Sequence, residues 1–396
     1  MAFHLAHIHD YQRFLAVDLG SHRVRASLYN IENGQLVLEG IGTTRQSRKD
    51  IRDWYIVDMR GVSLAIEKSI LSAANKSESI PDDMILSFSS SEFIFDSVTT
   101  QYVRADKTST ITMEEIDTMI KKTESASFDR VKEKAKHHFS LYNDDIKLVS
   151  STITAIEIDG KKITNPVWFP GGKVRLTVLN IFCPASEFNI IRSIVASIDK
   201  HTISLVPSPI VFPKILEHTE HVHETSVVID LWYMHSTVML VKDGQIEGFE
   251  TFPIWVSMLI DILSQRHGNR SRISLENIIC ETEISPTDHA EFLSFFHYFI
   301  DTVFSFLSSL QGKESNFSNL FLHWSIFENV SLFHLFGEVF DGTFWASVEK
   351  STIASIIEMD SDAVVPYGLA LMASDLLVVK KDPLVRILRY VIYNYE

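Results

Sequence analysis

Short apolar runs that each end in an aspartate occur twice along the chain, and each is followed by the same sequence of features. Residues 14–17 run apolar into Asp18, a polar loop covers 19–23, an apolar stretch spans 24–29, and Asn33-Gly34 marks a hairpin turn into 35–40. Some two hundred residues later, 227–229 end in Asp230, a loop covers 231–235, 236–241 is apolar, and Asp243-Gly244 turns the chain into 245–249. A repeated strand, aspartate, loop, strand, tight turn, strand pattern predicts a duplicated α/β domain.

Between the copies the pattern changes. Residues 83–95 read as a strand and 146–158 as another. A helix is expected over 112–122, opened by Thr112 with Glu115 three residues on, the spacing of a capping box. The turn-rich passage 163–172 (ITNPVWFPGG) blocks regular structure and leads into a strand over 173–182, and helical periodicity resumes over 185–199. This predicts an α+β module inserted in the first half. Further helices are expected around 255–265 and over 292–310, with a linker at 266–272. The segment 292–310 (FLSFFHYFIDTVFSFLSSL) approaches bilayer-spanning length, but Asp301 near its centre would cost about 2.5–3.5 kcal/mol in lipid, so a buried core helix is the expectation.

Composition narrows the function classes. At 396 residues and 45% hydrophobic the chain can build more than one core. Its net charge of −15, spread along the chain without acidic blocks, opposes a nucleic-acid partner, because phosphate neutralisation needs clustered Lys and Arg. Two cysteines, Cys183 and Cys280, both in apolar segments, suit a reducing compartment. The His-rich start lacks the basic and apolar regions of a secretory signal, so a cytoplasmic location is expected.

FLAVDLGSHRVRASLY (14–29), RQSRKDIRDWYIVDM (45–59), MILSFSSSEFIF (84–95) and ITNPVWFPGGKVRLTV (163–178) stand in an order that resembles the FtsA cell-division family of the actin, Hsp70 and sugar-kinase superfamily. A weaker echo is VVPYGLALMA at 364–373. The resemblance implies a duplicated actin-like (ribonuclease H-like) fold with an SHS2-like insertion. The implied division is a first subdomain at 12–83 and 184–212, the module at 84–183, a second subdomain at 213–270 and 318–379, a shortened helical subdomain at 271–317, and a terminal helix at 380–396. PilM, of type IV pilus assembly, shares the duplication and the first-half insertion.

The resemblance also implies ATP and Mg between two phosphate loops, held by Asp18, Gly20, Ser21, Asp230, Ser236 and Thr237, with Asp18 and Asp230 organising the metal through water. Glycine serves such loops where φ must be positive and phosphate must approach the backbone. The first loop, DLGSHR (18–23), keeps that chemistry. The second, DLWYMHST (230–237), stands where the family has a triple-glycine loop, and HWSIF (323–327) stands where it has an adenosine-binding glycine turn. Bulky residues there oppose phosphate. No nucleotide, altered nucleotide binding and residual hydrolysis through Asp18, Ser21 and Asp230 all stay open. No catalytic residue is assigned, and His235 reads as a polar loop residue.

The function implied is that of an adaptor that recruits division proteins, tethers FtsZ to the inner membrane face and self-associates through the module. The alternatives are a PilM-like platform and a weak actin-like ATPase. Asp382-Pro383 opens LVRILRYVIYNYE, whose Leu384, Ile387, Leu388, Val391 and Tyr395 share one helical face that suits either a membrane surface or the protein's own core.

Overall fold

The computed structural model describes residues 12–379 apart from 48, 53–54, 91, 139–144, 164, 253, 255, 269, 281–283, 287, 311–316, 324–328 and 344–346. The terminal face of Leu384, Ile387, Leu388, Val391 and Tyr395 lies outside the described residues, as does most of the 323–327 turn.

The first half opens with β1 (Arg13–Leu19), β2 (Arg23–Glu32) and β3 (Gln35–Arg45), an antiparallel meander. A short hairpin of β4 (Ile51–Arg52) and β5 (Tyr55–Ile56) leads to α1 (Met59–Ala73), whose first N–H groups are capped by Asp58 Oδ1 at 3.0 and 3.1 Å. α1 lies so close to β3 that a Cβ on Gly40 would stand 2.0 Å from the Ala73 carbonyl oxygen, so glycine is required by space. β6 (Asp83–Phe88) returns parallel to β1.

The module follows as β7 (Ile94–Val103), α2 (Met113–His138), β8 (Ile146–Ile158), β9 (Lys161–Lys162) and β10 (Lys173–Pro184), with sheet order β7-β10-β8-β9. The capping box forms: Glu115 N–H donates to Thr112 Oγ1 at 3.2 Å, and Thr112 N–H donates to Glu115 Oε2 at 3.3 Å. α2 continues well beyond residue 122, because Ser127 and Arg130 both donate to the buried Asp96 of β7, at 2.7 and 2.6 Å. The single strand expected over 83–95 is two strands of different sheets. β6 belongs to the first-half sheet, and the module's sheet starts only at Ile94.

α3 (Ala185–Ser197), β11 (His201–Pro207) and α4 (Val211–Leu216) complete the first half, with sheet order β3-β2-β1-β6-β11. The second half repeats it with β12 (Thr225–Leu231), β13 (Ser236–Lys242) and β14 (Gln245–Phe252), then α5 (Val256–His267), α6 (Arg272–Cys280) and α7 (His289–Leu310), then β15 (Asn319–His323), α8 (Val330–Asp341), β16 (Glu349–Thr352), α9 (Ile353–Ile356) and α10 (Ser361–Val379). Its order, β14-β13-β12-β15-β16, matches the first, including one antiparallel meander and two parallel neighbours.

Period-two alternation divides each inner strand between two cores. Leu15, Val17 and Leu19 face the first half's own core, while Phe14 and Ala16 face a shared core. Likewise Val227, Ile229 and Leu231 face the second half's core, and Val228 the shared one. The shared core also takes Val211 and Phe212 from α4 and Val364, Val365 and Leu369 from α10, so the two halves pack on each other through these helices. The Phe-rich α7 is a core helix: Phe292, Phe296 and Phe299 are fully buried. Among the described residues no helix is long and apolar enough to cross a membrane.

Candidate functional site

Both turns that follow the aspartate-ended strands lie at the carboxyl ends of β1 and β12, where an open α/β sheet presents its loops. Asp18 is fully buried on β1. Its carboxylate accepts from Ser87 Oγ of β6 at 2.9 Å and from Arg25 Nη1 of β2 at 3.3 Å. Burial pushes the Asp18 carboxyl up to about 6, against the pull of Arg25 and Ser87. Arg25 donates in turn through Nε to Asp362 Oδ1 at 2.6 Å, and Asp362 also accepts from Thr43 Oγ1 at 3.1 Å. Burial works against the Asp362 charge, but the Arg25 guanidinium outweighs it and holds that carboxyl below its ordinary value. The chain Ser87–Asp18–Arg25–Asp362 thus runs from β6 of the first half to the first turn of α10 in the second.

Gly20 is not at positive φ, contrary to the sequence expectation. Its N–H donates to the Arg23 carbonyl at 3.1 Å to close the turn, and a Cβ there would stand 2.6 Å from the same oxygen and 3.2 Å from Cζ3 of Trp232. Glycine is required by close approach, and the group approaching it is an indole of the other loop.

In the second loop the Trp232 N–H donates to the His235 carbonyl at 2.8 Å, which makes a tight turn whose residues all avoid positive φ. Trp232 is buried and donates its indole Nε1–H to Asp230 Oδ2. Asp230 Oδ1 lies 2.7 Å from His323 Nδ1 at the end of β15. Both oxygens of Asp230 are therefore engaged by side chains. Ser236 Oγ donates to the Ile254 carbonyl, and Thr237 Oγ1 is buried with no hydrogen-bond partner among the described residues. Ser21 stays half-buried, lining a small cleft of about 90 Å³ with Ser89, Glu187 and His235. His235 lies in the loop before β13 and is buried. Its Nε2 lies 2.8 Å from Ser89 Oγ, and burial lowers it to about 3, which keeps the ring neutral.

Nearer the surface a second set of contacts joins the halves. The His22 ring of the first loop stacks on Tyr233 of the second, centroids 4.3 Å apart and 7° from parallel. Glu276 on α6 accepts from the Tyr233 hydroxyl at 3.0 Å and from Arg45 Nη2, and His22 Nε2 lies 3.8 Å away. Burial opposes the Glu276 charge, yet His22, Arg45 and Tyr233 pull its carboxyl down to about 2. The sequence reading missed Arg25, Tyr233, Glu276 and Asp362. Arg25 carried a signal, being a charge inside an apolar strand.

Among the described residues no group of three or more His, Cys, Asp and Glu side chains is arranged to hold a metal. No family model matches the sequence, and no curated protein matches it. Solved structures do match. One is PilM in a PilM–PilN type IV pilus biogenesis complex, with a TM-score of 0.62, 11% identity, and coverage of 91% of this chain and 98% of that one. The chain has the actin-like ATPase fold. Two more structures carry it: a diol dehydratase-reactivating factor in nucleotide-free form (TM-score 0.54, 8% identity, 92% of this chain and 100% of that one), and MreB 5 of Spiroplasma citri bound to AMPPNP (TM-score 0.50, 10% identity, 95% and 100%). At these identities the likeness shows the fold, and within that fold the cleft between the halves holds Trp232.

Proposed function

We propose that the chain is an assembly platform that works by binding proteins and does not run an ATPase cycle. The observation that carries this reading is Trp232, which lies against Gly20 where the family's phosphate would approach the backbone and donates its indole N–H to Asp230. The residues do not fit Mg-ATP. Asp18 already faces a guanidinium and a hydroxyl, both oxygens of Asp230 carry protein partners, and the second loop offers a phosphate no glycine. The His22–Tyr233 stack and the Glu276 contacts hold the halves together, a role that nucleotide would otherwise fill.

A groove between α5 and α7, about 420 Å³ and lined by Met258, Ile262, Phe295 and Tyr298, gives the platform a place for the apolar face of a short helix or tail. This supports the division-adaptor reading, with an FtsZ tail as occupant. The pilus reading is supported by the extent of the match to PilM, whose partner in that structure is PilN. Titration against a fluorescent FtsZ C-terminal tail peptide and against an N-terminal peptide of an inner-membrane pilus protein separates the two. Saturable binding of the first peptide, lost in Tyr298→Glu, supports the division role. Binding of the second peptide alone moves the platform to pilus assembly, and binding of neither at high concentration contradicts both.

A further inference from the structure

The module carries a feature that the platform reading does not use. Val103 at the end of β7 pairs with Lys173 at the start of β10, and Ile158 at the end of β8 pairs with Val174, all at one end of its sheet. The loop 104–112, the turn at 159–160 and the passage 165–172 all lie at that end. Trp168 is 74% exposed, Val103 71% and Phe169 47%, and the two aromatic side chains are neighbours in the chain. Trp168 also sits at φ +73°, a region that bulky residues rarely occupy.

This conformation is imposed by its surroundings. The Trp168 N–H donates to the Ile111 carbonyl at 3.1 Å, and the Ile111 N–H donates to the Phe169 carbonyl at 2.9 Å. Arg104, itself buried, donates to the carbonyls of Gly171, Ser109 and Thr110 at 2.9, 2.8 and 3.2 Å. Val167 and Ile111 are buried beneath. The loop is pinned so that the indole points away from the core. A strained residue held by a rigid frame is a reason to look for function there.

The charge at this end is opposite to that of the whole chain. Residues 103–115 and 157–175 carry six Lys and Arg against five Asp and Glu, in a chain of net charge −15. Arg104 is spent on the loop frame and on Glu115, and Arg175 on Glu157. Of the acids, Asp159 accepts the backbone N–H groups of Gly172 and Lys173, and Asp106 accepts from Thr108. Lys107, Lys161, Lys162 and Lys173 are all exposed, and Lys107 runs along Gly172 beside the aromatic loop.

We infer that this end of the module docks on an anionic lipid surface, with Trp168 and Phe169 entering the headgroup layer and the four lysines facing lipid phosphates. Tryptophan suits headgroup depth because its ring is apolar and its N–H is polar, and lysines reach outward on long stems. Aromatic insertion plus a basic patch supplies the two signals that stable peripheral binding needs. A second copy of the chain fits less well, since two aromatic side chains and Val103 offer far less surface than the roughly 800 Å² per partner of a stable protein interface. The inference does not depend on which protein the platform holds.

Flotation of the full chain with vesicles of phosphatidylcholine alone, and with added phosphatidylglycerol, tests it. The wild type floats with the anionic vesicles, is released by salt and stays behind with phosphatidylcholine alone. The Trp168→Ser/Phe169→Ser variant and the Lys161→Glu/Lys162→Glu variant each lose roughly tenfold in vesicle partition. A chain ending at residue 381 floats as the wild type does. Circular dichroism checks that the surface variants stay folded. Failure of the wild type to float with anionic vesicles overturns the inference. So does equal flotation of the Trp168→Ser/Phe169→Ser variant, and loss of flotation on truncation alone assigns membrane contact to the terminal segment instead.

Discussion

Cζ3 of Trp232 lies 3.2 Å from the point where a Cβ on Gly20 would stand, so the two loops that would enclose a phosphate touch each other. That contact joins the first half to the second and leaves no room for growth at residue 20. Gly20→Ala forces its methyl against the Arg23 carbonyl at 2.6 Å and against the indole. The expected cost is about 1–3 kcal/mol, as for other overpacked sites, measured by urea denaturation.

How much of this was legible in the sequence depends on range. The duplication was legible because its signals are local: Asn33-Gly34 and Asp243-Gly244 adopt positive φ (53° and 80°, 50° and 71°), as a two-residue hairpin turn requires. Asp18 and Asp230 are the penultimate residues of β1 and β12, one position before the ends that the pattern implied. The polar partners were not legible. Arg25 meets Asp362 across 337 positions and Arg45 meets Glu276 across 231, and such pairing follows from tertiary packing without any periodicity to announce it. The strand error at 83–95 had a local cause, because a continuous apolar count hid the break at Ser89 and Ser90 where the chain changes sheets.

Asp18 gives the cleft a defined pH dependence. Its folded-state value of about 6 lies above the ordinary 3.8. Its contribution to stability is therefore fully present below about pH 4 and is lost as pH rises through about 6. Asp18→Asn cannot ionise, so its stability relative to the wild type should improve as pH rises from about 4 to about 6 and level off above. Paired urea titrations across that window check it, and a constant difference would show that Asp18 does not titrate there.

Glu276 has the opposite sign. Its carboxyl is held at about 2 against an ordinary 4.5, so its stabilisation is present above about pH 4.5 and disappears as pH falls through about 2. Glu276→Gln should cost about 1.5 kcal/mol at neutral pH, the scale of hydrogen bonds to a charged group. The gap to wild type should close in acid. The same titration series, read by circular dichroism, decides it.

Arg25 is the cation that the buried Asp18 and the half-buried Asp362 share. Arg25→Met should destabilise the fold by about 3 kcal/mol, the lower end for breaking a buried ion pair, because Asp18 and Asp362 are left facing one another's negative potential. The loss should shrink as pH falls toward about 6, because without Arg25 the Asp18 carboxyl takes up its proton above that value.

The most direct test of the account is the thermal midpoint of the full chain with and without millimolar Mg-ATP, backed by calorimetric titration, since any ligand that binds the folded state raises that midpoint. The closed contact of Trp232 with Gly20 predicts no shift and no saturable heat. A shift that saturates with Mg-ATP and disappears in Asp18→Ala and Asp230→Ala would contradict the account and return the chain to the nucleotide-driven members of its fold.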